Sequence, residues 1–246
     1  MSGEDNVMDA DAALVAGKPP PSRTRHLDRQ RILQAAVDFI DEQGLAGLTM
    51  RRLGERLGVE AMALYRHVAG KEELLDGVVE LLVDGMRTDG DVIDAPQDGW
   101  QDFVQRLAHG VRRTALAHPR AFPLVASRPP EAPWLRPPLR SLSWVEAFLA
   151  GLKGEGFTDA AAVASYRAFS SFLLGHLLLE VSTLGADVGP LDVLEEDPEP
   201  EGLTGFPLVA RLRPALSTDT SAVEFEEALE ELLNRMALMR QEGHDE

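Results

Sequence analysis

Cysteine is absent from the 246 residues, which excludes disulfides, thiolate metal sites and thiol nucleophiles together and fits a reducing compartment. An apolar leader is missing too: Met1–Ala16 is small and acidic, unlike a signal peptide. The longest apolar stretch, Phe169–Leu184, is interrupted by Ser170, Ser171, His176, Glu180 and Ser182, and reads as too short and too polar to span a bilayer. A cytoplasmic protein with no membrane partner is expected. There is no P-loop, no G-x-S-x-G, no H-E-x-x-H and no convincing G-x-G-x-x-G after a strand. His109, His118 and His176 lack the i,i+4 spacing of a metal-binding pair. No catalytic residue, metal or cofactor is therefore assigned. Strand-like alternation and internal repeats are also wanting, so the fold class is all-α.

What is present is an ordinary globular composition, 44% hydrophobic and 26% charged, in a chain long enough for one substantial core and a small companion domain. The net charge of −17 is unevenly spread. Arg23–Lys71 carries nine Lys/Arg against six Asp/Glu, a local +3, which leaves −20 for the remainder. One basic segment within an acidic chain is the asymmetry a nucleic-acid binder needs, while the acidic bulk limits how much DNA can be covered.

Residues 1–22 end in Pro19-Pro20-Pro21 without periodicity and read as a disordered tail. Asp28 is a good N-cap for a first helix whose Ile32, Leu33, Ala36, Val37, Phe39 and Ile40 form one buried stripe before Gly44. A second short helix follows Thr49, a third begins near Ala61, and a fourth runs from Lys71 to about Met86. After the break at Asp94–Asp98, Trp100, Phe103, Val104, Leu107 and Val111 mark another helix, stopped by His118-Pro119. Six prolines from Pro123 to Pro138 predict a rigid connection. Helices are then expected at about Leu139–Lys153, Thr158–Leu184 and Phe206–Leu212, with a last one opened by the capping-box spacing of Ser221 and Glu224. Asp192–Glu201, six carboxylates in ten residues, reads as a solvated loop.

The most informative stretch is Leu48–Val68. Two short helices that cross steeply need a small residue at the crossing, and Gly54 supplies it. The turn that follows needs a positive φ, which Gly58 permits. Leu53, Leu57, Val59, Leu64 and Val68 face inward, leaving Ala61, Met62, Ala63, Tyr65, Arg66 and His67 outward on the second helix of the pair. That is the layout of a helix-turn-helix, one helix offered to the major groove and one bracing it; a plain helical hairpin is the alternative. Leu48-Thr49, Leu64-Tyr65-x-His67 and Lys71-Glu-x-Leu74-Leu75, behind an amphipathic first helix, resemble the TetR family of bacterial regulators over about residues 27–75. His118-Pro119, Gly156-Phe157 and Gly175 before Leu177-Leu178-Leu179-Glu180 resemble the tetracycline-repressor-like regulatory domain.

The resemblance implies a helix-turn-helix domain at 23–74 and a helical effector-binding and dimerisation domain at 75–246. It places Thr49, Met50 and Arg51 at the start of the bracing helix, Ala61, Met62 and Ala63 in the first turn of the recognition helix, Tyr65 and His67 against the phosphate backbone, and Lys71 at a further phosphate. Ala61-Met62-Ala63 offers no side-chain hydrogen bond. It suits thymine methyls, so hydrogen-bonded reading of a guanine falls to Arg51 or Arg66. Arg23, Arg25, His26 and Arg29 form a basic lead-in that either follows DNA or only solubilises the junction.

In the second domain, Phe169, Leu173 and Leu177 on one helix and Phe225, Leu229, Leu232 and Met236 on the last are assigned to a homodimer interface, an intrachain core being the alternative. Trp100, Phe103, His109, Trp144, Phe148, Phe172 and His176 are assigned to a pocket for a small hydrophobic or aromatic effector. The function implied is a homodimeric repressor released from a palindromic double-stranded operator by that effector. An activator or architectural DNA-binding protein of the same fold is the alternative, and an enzyme carrying a helix-turn-helix a more distant one.

Overall fold

Asp28 opens the first helix by accepting the Arg31 amide on its carboxylate at 2.8 Å, satisfying a donor that the first turn cannot. In the computed structural model, which describes residues 27–128, 135, 141–188, 203 and 205–242, helix α1 spans Arg29–Gln43. The expected tail, most of the basic lead-in, the bulk of the proline-rich connection and the acidic loop lie outside the described residues. A single 3-10 turn, Leu45–Gly47, leads to α2 (Met50–Leu57), α3 (Ala61–Leu64) and α4 (Lys71–Arg87). Then come α5 (Trp100–Ala117), α6 (Pro123–Ser127), α7 (Leu142–Gly154), α8 (Asp159–Thr183), α9 (Pro207–Leu216) and α10 (Ser221–Glu242). The protein is all-α, and no strand occurs among the described residues.

Side-chain pattern decides which helices pair. The inward stripe of α1 meets Leu74, Leu75, Val78 and Val79 of α4, and α2 and α3 close the third side of this small body. α4 continues without a break across the expected boundary at 74/75 and packs its second half on α5 and α6. It belongs to both bodies. In the larger one α8 is central, packed on α5, α7 and α10. By length and composition α8 does reach what a membrane-crossing helix needs, contrary to the sequence expectation. Its Glu180 is nevertheless buried and fork-bonded by Arg112 at 2.6 and 3.1 Å, and its Tyr166, Phe169, Leu173, Leu177 and Val181 are buried within the chain.

Two expectations are corrected here. Ser221 does not cap α10 through Glu224: its amide and hydroxyl both bond Asp219, and the Glu224 carboxylate accepts the Thr220 hydroxyl at 2.7 Å instead. The assigned dimer residues Phe169, Leu173, Leu177, Phe225, Leu229 and Met236 are buried within one chain, where α8 and α10 pack on each other; Leu232 alone is half-buried. Apolar periodicity showed that these faces are covered, but not that the cover is the chain's own. The faces left open carry Leu179 and Leu184 near the end of α8 and Val223 and Leu238 on α10.

Candidate nucleic-acid interface and the cavity behind it

Thr49 starts α2 by accepting the Arg52 amide on its hydroxyl oxygen at 3.2 Å, which leaves the hydroxyl hydrogen free to point outward. α2 stops at Leu57 because Gly58 turns left-handed, φ 71° and ψ 31°. At Gly54 the backbones touch: an added Cβ would stand 2.8 Å from the Val59 carbonyl oxygen and 3.2 Å from the Ala61 nitrogen. The amide of Val59 donates to the Gly54 carbonyl at 3.0 Å and locks the crossing. Both glycines act as their spacing predicts.

α3 is shorter than expected. It ends at Leu64, and Tyr65, Arg66 and His67 form a turn that continues it through bonds from His67 and Val68 to the Leu64 carbonyl. Leu64 and Val68 are buried, which turns Met62 (73% exposed), Tyr65 (44%) and Arg66 outward. Ala61, Ala63 and His67 are half-buried beside them, and Met50 is half-buried against the core. The groups most exposed here are thus a thioether, a phenol and a guanidinium on one short ridge.

Most of the local positive charge is already committed. Arg52 donates to the Gly47 carbonyl at 2.7 Å, bonds the Gln43 side chain and lies over the Phe39 ring at 5.0 Å. Arg56 forks onto Glu42 at 2.5 and 2.6 Å and holds that carboxyl below its usual range. Arg29 pairs with Glu80 at 3.0 Å. Arg51 is mostly exposed in a loose pair with Glu55 at 3.6 Å, and Arg66 has no partner among the described residues. Lys71 Nζ donates to the Leu48 carbonyl at 2.9 Å, tying the start of α4 to the start of α2 with its charge still at the surface. Among the described residues of this body, the cations with charge still open at the surface are Arg51, Arg66 and Lys71.

Behind this body lies a cavity of about 90 Å³. Its walls are Val83 and Met86 of α4, Leu107 and Val111 of α5, Phe122 and Val125 at α6, and Ser141, Trp144, Val145, Phe148, Tyr166, Phe169, Ser170, Leu173 and Leu174 of the α7–α8 side. Of the residues assigned to an effector pocket, Trp144 and Phe148 line this cavity. The other assigned pocket residues do not. Trp100 meets Phe157 edge-on at 5.2 Å, and Phe103 backs Phe148 at 6.2 Å. His109 bonds Glu226 at 3.1 Å, while Phe172 and His176 pack on Phe225 of α10. Phe169 and Leu173, assigned to the dimer, face the cavity instead. An aromatic tally overlooks aliphatic and hydroxyl walls such as Val83, Met86 and Ser170, and Tyr166 is an aromatic wall that the assignment omits. Burial pushes the Tyr166 phenol pKa upward, and the nearby Ser170 hydroxyl offsets part of that rise.

The wall formed by α6 is bolted to the small body at both ends. Before it, His118 Nδ1 and the Ala121 amide bond the Asp41 carboxylate of α1 at 2.8 and 3.2 Å. After it, Arg128 bonds Asp76 at 2.6 and 3.0 Å and Glu72 at 2.7 Å, both on α4. A change in cavity shape that moved α6 would reach α1 and the first turn of α4 together.

Residues 32–78 match the family described as bacterial regulatory proteins, tetR family, and residues 94–239 match the tetracyclin repressor-like C-terminal domain. The chain is 32% identical over 152 residues, 62% of its length, to the tetracycline repressor protein class C of Escherichia coli, of which that stretch is 65%. It spans just under two thirds of the length of that relative. A possible TetR family transcriptional regulator from Streptomyces coelicolor A3(2) is similar in structure, with a TM-score of 0.67 and 30% identity over 86% of this chain and 99% of that one. The Streptomyces coelicolor TetR family protein ActR, solved in complex with actinorhodin, matches with a TM-score of 0.62 and 25% identity over 87% of this chain and 98% of that one.

Proposed function

Because the chain belongs to the TetR family of bacterial regulatory proteins, we propose that it is a cytoplasmic, non-enzymatic transcriptional repressor that binds a palindromic operator as a homodimer and releases it when a small hydrophobic effector enters the cavity. The observation that carries this reading is the Gly54 crossing, which turns Met62, Tyr65 and Arg66 outward on one ridge with Thr49, Arg51 and Lys71 beside it. A ridge of that size reads a few base pairs, so two copies about a twofold axis, with centres roughly 34–36 Å apart or a multiple of that, are needed for a specific site. An apolar arm supports the second copy. Helix α9 has no buried residue, and Phe206, Leu208, Leu212 and Leu216 stay open on and beside it, an apolar face of the kind that marks an interface. ActR was solved in complex with actinorhodin, and the cavity here is lined by apolar and aromatic side chains, which supports a small hydrophobic effector.

The effector must bind the non-DNA conformation better than the DNA-bound one, otherwise it shifts nothing. Selection of bound sequences from random duplexes, followed by footprinting on the chain's own promoter, tests the proposal. The expected result is a dyad-symmetric site overlapping the promoter core. Recovery of lone half-sites would remove the dimer, and binding only upstream of the core would favour activation.

A further inference from the structure

The chain has seven methionines, and Met50, Met62, Met86, Met236 and Met239 lie within the described residues. Met86 and Met236 are buried. Met50 and Met239 are half-buried against the core, and Met239 accepts the Ser165 hydroxyl on its sulfur at 3.9 Å. Packing accounts for those four. It does not account for Met62, which is 73% exposed on the outward side of α3. Oxidation of a thioether requires that an oxygen donor reach the sulfur, so the fold opens Met62 to attack and shields the other four. No cysteine competes for the oxidant. Ala61 and Ala63 flank Met62, so its sulfur sits in the middle of an apolar strip without a side-chain hydrogen-bond donor.

We propose that Met62 is an oxidation site through which a peroxide lowers the DNA affinity of the protein. The proposal rests on the reading of the α3 ridge as the surface that meets DNA. In the reaction a sulfur lone pair attacks one peroxide oxygen: the S–O bond forms, the O–O bond breaks, and the other oxygen leaves as water after proton transfer. Sulfur gives up two electrons and the peroxide takes them. The new sulfoxide oxygen only accepts hydrogen bonds. Thymine O4, guanine O6 and N7, and the phosphates accept as well, so in the groove only the amino groups of adenine or cytosine could satisfy it. Against thymine methyls the oxygen would lose its water and gain nothing. An oxygen that turned to the Arg66 guanidinium, four positions on, would take from the duplex one of its open cations. Both outcomes weaken binding.

The test treats the full chain with graded hydrogen peroxide, locates sulfoxides by peptide mass spectrometry, and measures affinity for the duplex selected with untreated protein. Met62 sulfoxide should form before that of Met50, Met86, Met236 or Met239. Affinity should fall about tenfold or more as it accumulates, the loss that follows from an acceptor buried without a donor. Methionine sulfoxide reductases A and B, one for each sulfur epimer, should restore it. Met62→Leu, judged against its own untreated affinity, should change by less than about twofold at the same dose. Partly oxidised unaltered protein covers the case in which that variant does not bind: the fraction retained on the duplex should be depleted of Met62 sulfoxide more than of any other. A retained fraction as rich in Met62 sulfoxide as the free one overturns the proposal. So does a loss that Met62→Leu shares, or oxidation of Met62 later than the shielded methionines. Untreated protein that selects no duplex would instead overturn the DNA-binding reading, and the proposal with it.

Discussion

Gly54 and Gly58 sit four positions apart and serve different physics. At Gly54 the space is gone: a methyl group would press on the Val59 carbonyl, so Gly54→Ala forces α2 and α3 apart and should cost about 1–3 kcal/mol by urea denaturation. At Gly58 the space is open but φ is positive, so Gly58→Ala should cost about 1–2 kcal/mol and Gly58→Asn clearly less. Equal losses from Ala and Asn at position 58 would show that conformation is not the cause. These roles were legible because glycine spacing is a local signal. The fate of the basic residues was not. Arg29, Arg52 and Arg56 look as free as Arg66 in sequence, yet Glu80, Gly47 and Glu42 reach them only through the tertiary fold. With Arg66 unpartnered among the described residues, Arg66→Ala should cost roughly 1–3 kcal/mol at one base position if it reads a base edge. Measured against a library of single-base operator variants, an equal loss on every sequence would make it a phosphate contact.

Helices with a long apolar repeat (α1, α4, α5 and α8) were legible nearly to the residue, since their stripes extend over several turns. The four-residue α3 was not, because a single turn carries no period and its length depends on how Leu64 and Val68 are buried. Nor did sequence reveal what α6 does. Five residues long, it gains importance from the Arg128 fork behind it, which neutralises Glu72 and Asp76 in the first two turns of α4, beside Lys71. Hydrogen bonds to those two carboxylates outweigh the burial that disfavours the guanidinium charge. Without the fork, two carboxylates would stand uncompensated near the phosphate that Lys71 is proposed to hold. Arg128→Leu should therefore weaken operator binding roughly three- to tenfold at low salt, with the deficit shrinking as salt screens it. Adding Glu72→Gln to that background should recover part of the loss. A deficit that ignores both salt and Glu72→Gln would point to misplacement of α4 rather than charge.

Across the whole molecule the distribution of charge governs how DNA can be approached. Residues 72–246 carry −17, so the larger body is repelled by phosphate and the small body is the part expected to make contact. An apolar union of two larger bodies through α9 and the open faces of α8 and α10 would bring like charges together, and the burial of Phe206, Leu208, Leu212 and Leu216 has to exceed that repulsion. Leu212→Glu together with Leu216→Glu should shift sedimentation toward the monomer and abolish dyad binding while leaving the helical circular dichroism unchanged, because neither side chain is part of the chain's own core. The same balance fixes the response to salt. Among the described residues Arg51, Arg66 and Lys71 are the cations open to phosphate, six in a dimer, so log K against log salt should fall with a slope of about −5. A slope near −9 would bring Arg23 and Arg25 of both copies onto the duplex, and a chain lacking residues 1–26 should then return to about −5. A slope shallower than about −2 would mean that the ridge of Met62, Tyr65 and Arg66 does not lie against a phosphate backbone at all.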